Sequence, residues 1–184
     1  MKLQFDSNQQ YQWDAIKSIT DIFEGQPLCS GDFEFIQSAP GTLLTENGFG
    51  NNLTISEEQI LQNVKAIQQH HGIKEPVSEL QGLNFSVEME TGTGKTYVYL
   101  KTIYELNKLY GFKKFVIVVP SVAIREEVLK NLQITQDHFQ SLYDKTSIGF
   151  DVYDSKKVSA LRSFSSANNI QILIINIQAF NTED

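Results

Sequence analysis

Apolar positions in the first part of the chain recur at helical spacing. Ala15, Ile16, Ile19, Ile22 and Phe23 share one face of a helix predicted from about Ser7 to Glu24. Ser7 with Gln10 fits a capping box, and Gly25 and Pro27 end the pattern. Ser56 and Gln59 open a second helix, Ser56 to His71, with Ile60, Val64 and Ile67 on its face and Gly72 as its stop. Between the two, residues 25–53 are rich in Gly, Ser, Asn and Thr, with Phe33, Phe35, Ile36, Leu43 and Leu44 scattered among them. That stretch reads as an irregular excursion with room for a short hairpin.

From residue 85 the period changes. Phe85 to Met89 reads as a strand, Thr91 to Thr96 as a Gly-rich turn, and Lys95 to Tyr110 as a helix whose face is Tyr99, Ile103, Leu106 and Tyr110. Phe115 to Val119 and Ile170 to Ile175 are continuous apolar runs suited to buried parallel strands. Ser121 to Leu132 is a helix with Ile124, Val128 and Leu132 in register, and Ile148 to Tyr153 is a further strand. Strands alternating with helices predict an α/β domain with a mostly parallel sheet, burying Phe85–Met89, Phe115–Val119 and Ile170–Ile175.

Composition narrows the class. The 184 residues are 41% hydrophobic with only 4 Pro, which excludes a linker-like chain. No apolar run approaches the ~20 residues that span a bilayer, and Met1 to Asp6 has no signal-peptide core. The lone Cys29 forms no internal disulfide, so a cytoplasmic, non-membrane protein is expected. The net charge of −7 is uneven: residues 1–88 hold four basic and twelve acidic side chains, and residues 89–184 hold eleven and ten. A basic surface all over is excluded, whereas a local nucleic-acid groove in the second half is not.

The chemistry concentrates in Glu90-Thr91-Gly92-Thr93-Gly94-Lys95-Thr96. Successive backbone N–H groups in a Gly-rich turn, followed by a helix N-terminus, form a concave phosphate site. Gly92 and Gly94 allow positive φ and close approach, Lys95 reaches β- and γ-phosphates, and the Thr96 hydroxyl suits Mg²⁺. The strict P-loop pattern would place Gly where Met89 stands, and the form with a single upstream Gly is that of helicase-type loops.

Met89 to Thr96 thus resembles motif I of superfamily-2 helicases and translocases. Val118-Val119-Pro120-Ser121 is similar to their motif Ia, and Asn176 to Asn181 to the segment ahead of the acidic Walker B motif. Phe5 to Ile16 resembles the Gln motif of that superfamily. The whole opening through Pro27 most resembles the Res subunit of type III restriction-modification enzymes.

The resemblance implies an incomplete RecA-like P-loop domain over residues 85–184, with a helical N-terminal extension over 1–84. It implies ATP and Mg²⁺ at Thr91, Gly92, Thr93, Gly94, Lys95 and Thr96, with Lys95 and Thr96 catalytic. Adenine would be read by Gln12, with Gln9 the weaker candidate, and Phe5 would stack on the base. A side-chain amide donates and accepts together and so matches adenine's edge. The alternative is that Gln12 is a solvated helix residue and Phe5 a hydrophobic staple. Pro120, Ser121 and Arg125 would contact nucleic-acid backbone, although Val122 stands where many helicases carry Arg, and Ser121 reads equally well as a plain helix cap. Duplex DNA and a modification (Mod) methyltransferase subunit are the implied partners.

Two rivals remain open on the residues: another superfamily-2 or type I restriction motor, and a non-catalytic nucleotide-binding or docking domain. Asp144, Asp154 and Lys156 have the spacing of a nuclease metal site but read as surface charge. His70-His71 suits a helix C-terminus, His138 and Cys29 lack partners at ligand spacing, and Trp13 reads as a packing residue. Glu183-Asp184 does not read as Walker B, so the chain is expected to be a fragment of a longer motor, with negligible turnover by itself.

Overall fold

The computed structural model describes residues 8–28, 32–39, 42–155 and 158–180. Phe5, Ser7, Cys29, Lys156 and Glu183-Asp184, on which some expectations rest, lie outside them. The elements in order are α1 (Gln10–Thr20), β1 (Asp32–Ala39), β2 (Thr42–Phe49), α2 (Glu57–His70), α3 (Lys95–Tyr110), β3 (Lys114–Val119), α4 (Val122–Leu142), β4 (Ile148–Val152), α5 (Val158–Ser166) and β5 (Ile170–Asn176). Short 3₁₀ turns follow α1 at Asp21–Phe23 and β5 at Ile177–Phe180. Two compact units result. One comprises residues 1–28 and 53–106, the other 29–52 and 107–184.

In the first unit α1 buries Ala15 and Ile16 against Val98 of α3, with Trp13 and Met89 packed on the cluster. A second cluster joins Ile22 to Ile60 and Val64 of α2. Ser56 caps α2 by accepting from the Gln59 amide at 3.3 Å, as the sequence indicates. The buried Asn63 side chain donates to the carbonyls of Ile22 (3.0 Å) and Glu24 (2.9 Å) and accepts from Gln59, fixing α2 to the turn after α1. Gly72 ends α2 with φ +77°, the left-handed conformation expected there. Helix α3 is buried nearly all round, since Tyr97, Val98, Leu100, Lys101, Thr102, Ile103, Tyr104 and Leu106 are all inaccessible. The single apolar stripe expected of it was too narrow.

The second unit holds the sheet, ordered β3-β5-β4 and parallel throughout. Central β5 is buried from Ile170 to Ile175, the arrangement a continuous apolar run suits. The expectation for Phe115–Val119 is corrected: the strand forms, but at the sheet edge, with Val116 52% and Val118 49% exposed. The excursion carries an antiparallel hairpin, β1 with β2, in register from Asp32↔Phe49 to Ala39↔Thr42. Asn51, just past it, accepts from the amides of Lys113 (2.8 Å) and Lys114 (3.0 Å) and donates to the Lys114 carbonyl, anchoring the start of β3.

Three further expectations are corrected. Phe85–Met89 forms no strand: its apolar alternation is real, but no described strand pairs with it, and a strand without a partner leaves its backbone groups unladdered. Helix α4 runs to Leu142, ten residues past the expected end, because Thr135 and Phe139 continue the buried stripe of Val128 and Leu132, while Ile124 is exposed. Helix α5 was not anticipated.

Candidate functional site

The Gly-rich turn leads directly into α3. Gly92 and Gly94 take φ of +82° and +83°, the left-handed region that only glycine occupies without strain. The Glu90 carbonyl accepts from the Thr93 hydroxyl (2.7 Å) and from Lys95 Nζ (3.1 Å), so the lysine folds back across its own loop. Lys95 is exposed and Thr96 half-buried on the first turn of a 16-residue helix. The loop therefore presents a cation, a helix N-terminus and two glycines on one exposed turn. These donors match the needs of a polyphosphate with its Mg²⁺.

Gln12 is the residue that the fold brings to this loop. It is buried, and its Nε2 donates to the Thr93 carbonyl at 3.0 Å. A Cβ placed on Gly94 would stand 2.8 Å from the same nitrogen, so the glycine also makes room for this amide. The reading of Gln12 as a solvated helix residue is overturned. Gln9, the N-cap position of α1, gives no side-chain cap and instead accepts from the Tyr11 hydroxyl. A groove of about 1350 Å³ in the same unit is lined by Tyr11, Asp14, Ser18, His71, Glu90 and Thr93, among others, so space for a ligand adjoins the loop.

Pro120, Ser121 and Arg125 belong to the other unit. Ser121 caps α4, its hydroxyl accepting from the Ile124 amide at 3.3 Å. Arg125 is paired with neighbouring Glu126 at 2.8 Å. The Pro120 carbonyl accepts from Gln178 Nε2 at 3.0 Å, which brings the motif Ia-like segment to the segment after β5. Asp144 sits in a left-handed turn at φ +48°, not on a strand, and no cluster of metal-ligating side chains occurs among the described residues. No described helix is long and apolar enough to cross a membrane.

One side-chain contact and one backbone group escaped sequence reading. Trp13 packs, as expected, but against a cation: Lys101 Nζ lies 3.7 Å from its ring centroid. The available signal was a lysine in the second turn of α3, four residues after Tyr97 and four before Glu105. The Glu90 carbonyl, which holds the loop closed, leaves no signal at all, because every residue carries one.

A Gly-rich loop opening a long helix, in a chain that also carries an all-parallel three-stranded sheet, fits part of a RecA-like α/β fold. The family model for the type III restriction enzyme Res subunit matches residues 7–184, and the chain belongs to that family. It is 32% identical over 143 residues to the type III restriction-modification enzyme EcoPI Res subunit of Escherichia phage P1, covering 71% of this chain and 15% of that protein. The EcoP15I Res subunit of Escherichia coli matches at 32% over 149 residues, again 71% and 15%. The StyLTI Res subunit of Salmonella typhimurium strain LT2 matches at 42% over 118 residues, 54% of this chain and 12% of that protein. The chain thus spans about 15% of the length of the first two relatives.

Proposed function

We propose that this chain is the N-terminal ATP-binding motor segment of a type III restriction endonuclease Res subunit, with residues 85–184 beginning the first RecA-like domain. The observation that carries the nucleotide reading is the Gln12 amide seated on the Thr93 carbonyl. It joins the side chain best suited to adenine and the loop best suited to phosphate in one compact unit.

In this reading the backbone N–H groups of Thr91 to Lys95 and the α3 N-terminus hold phosphate oxygens. Lys95 leaves the Glu90 carbonyl for the β/γ oxygens, and Thr96 offers its hydroxyl to Mg²⁺. Gln12 exchanges its bond to Thr93 for the base, with Gln9 a weaker contact. Bound Mg²⁺·ATP would supply the free energy that drives communication along duplex DNA. Pro120, Ser121 and Arg125 would touch a DNA backbone, which requires Arg125 to give up Glu126. A Mod methyltransferase subunit supplies sequence recognition, and the complex works in the cytoplasm as an ATP-dependent nuclease.

The test is ATP binding and DNA-stimulated turnover by the full-length protein. Lys95→Ala is expected to abolish both, and Asp154→Ala to change neither. DNA-stimulated hydrolysis that survives Lys95→Ala would exclude this loop as the motor site.

A further inference from the structure

Lys101 stands on the second turn of α3, six residues beyond Lys95, and only 2% of its surface is exposed. Burying an ammonium group is unfavourable unless something compensates. Burial pushes its pKa down, and the Glu105 carboxylate one turn on partly offsets that. Its Nζ lies 3.7 Å from the Trp13 ring centroid and 5.8 Å from that of Tyr97. An apolar side chain here would pack with no such cost, so the packing of α1 on α3 does not by itself account for a lysine.

What the contact adds is direction. The cluster of Ala15 and Ile16 on Val98 is apolar, and apolar contacts tolerate a helix turning about its axis. A cation over a ring face does not, because the attraction depends on the ring's orientation. Trp13 directly follows Gln12, so fixing its ring fixes the direction in which the Gln12 amide leaves the helix, ~100° away. That direction leads to Thr93.

We propose that Trp13 and Lys101 form a positioning pair that sets the rotation of α1 on the phosphate-loop helix and so holds Gln12 in register for the nucleobase. The proposal rests on the nucleotide reading of Gln12 and the loop given above. It assigns to Lys101 no contact with nucleotide. Its effect runs through Trp13 and Gln12, and so falls on base selection rather than on phosphate chemistry.

The experiment uses the full-length protein and measures KM and kcat for ATP, the preference for ATP over GTP, and inhibition by inorganic tripolyphosphate. Lys101→Met keeps the stem and removes the charge, and Trp13→Leu keeps apolar packing and removes the ring. Both are expected to raise KM for ATP about five- to tenfold, between the scale of an exposed cation–π contact and that of a fully desolvated one. Both should narrow the ATP-over-GTP preference and leave kcat and tripolyphosphate inhibition unchanged. Lys101→Arg and Trp13→Phe should restore both. If Trp13→Leu does not fold, Lys101→Met decides alone. A folded Lys101→Met with wild-type KM and preference overturns the proposal, as does a loss of kcat and thermal stability that Lys101→Arg fails to rescue. Gln12→Ala separates the two levels: unchanged KM and preference in that variant would overturn the nucleotide reading itself, and the positioning role with it.

Discussion

The two compact units are held together by different physics. In the first, side chains far apart in sequence reach particular backbone carbonyls: Gln12 to Thr93, and Asn63 to Ile22 and Glu24, while Gln26 accepts from the amide of Thr54. In the second, a parallel ladder and a stack of aliphatic side chains do most of the work, with β5 buried between β3 and β4. Ladder and aliphatic packing depend on how much volume and area are buried. The tethers depend on one atom meeting another, and leave a buried polar group stranded when one partner is lost. Mutations should therefore sort by volume in the sheet and by hydrogen-bonding capacity around the loop.

The largest effect is expected at the centre of the sheet. Ile174 is fully buried, at 0% exposure, in the strand with neighbours on both sides. Ile174→Ala should cost about 2–5 kcal/mol, and Ile174→Val about 0.5–1.5. Urea unfolding of the chain measures both. An Ile174→Ala cost below that of Ile174→Val would show that buried volume does not govern this unit.

Asn63 tests the other half. Asn63→Ala removes both donors, leaving the Ile22 and Glu24 carbonyls without them, at a cost of about 1–3 kcal/mol. Asn63→Leu keeps the branched shape and fills the site with apolar groups, and should be no better. The same urea series checks this, and recovery of stability in Asn63→Leu would mean that the first unit also answers to volume alone.

The same contrast explains what could be read from sequence. Ile148–Val152 was legible as a strand by its alternation and Ile170–Ile175 by its unbroken apolar run, whereas the similar run Phe115–Val119 formed a strand that leaves Val116 and Val118 exposed at the sheet edge. Phe85–Met89 carries a similar pattern and forms no strand, because pairing needs a neighbour and sequence does not disclose one. The helix stops at Gly25 and Gly72, the Ser56 and Ser121 caps and the Gly92–Lys95 turn were local, and local chemistry is spelled out in adjacent letters. Gln12 was identified through a family resemblance, whereas its seat on Thr93 spans 81 positions and belongs to the fold. Lys101 under Trp13 was missed for the same reason, since a helix face shows which residues are buried and not what they meet.

The smallest effect is electrostatic, and it sits where a charge intrudes on the apolar unit. Lys114 opens β3 with its ammonium group directed at the Ala167 carbonyl and 5.6 Å from the Phe164 ring. Burial, with the neighbouring Lys113 charge second, lowers its pKa to about 8 from an ordinary 10.5. Between those values the unfolded chain holds a proton that the folded chain has released, so unfolding takes up protons and stability rises with pH across this window. Below pH 8 both states are protonated, and the cost of the partly buried charge is felt in full. Lys114→Met should therefore gain on the wild type most below pH 8, and that relative gain should fade as pH approaches 10.5. Partial exposure of the ammonium keeps the effect modest. Lys113→Gln should narrow the window from below, because removing the like charge lets the folded Lys114 keep its proton to higher pH. Urea midpoints taken from pH 7 to 10.5 follow all three chains. A difference between Lys114→Met and wild type that does not change with pH would mean that burial does not perturb this lysine, and that the sheet unit tolerates a charge at its edge at no electrostatic cost.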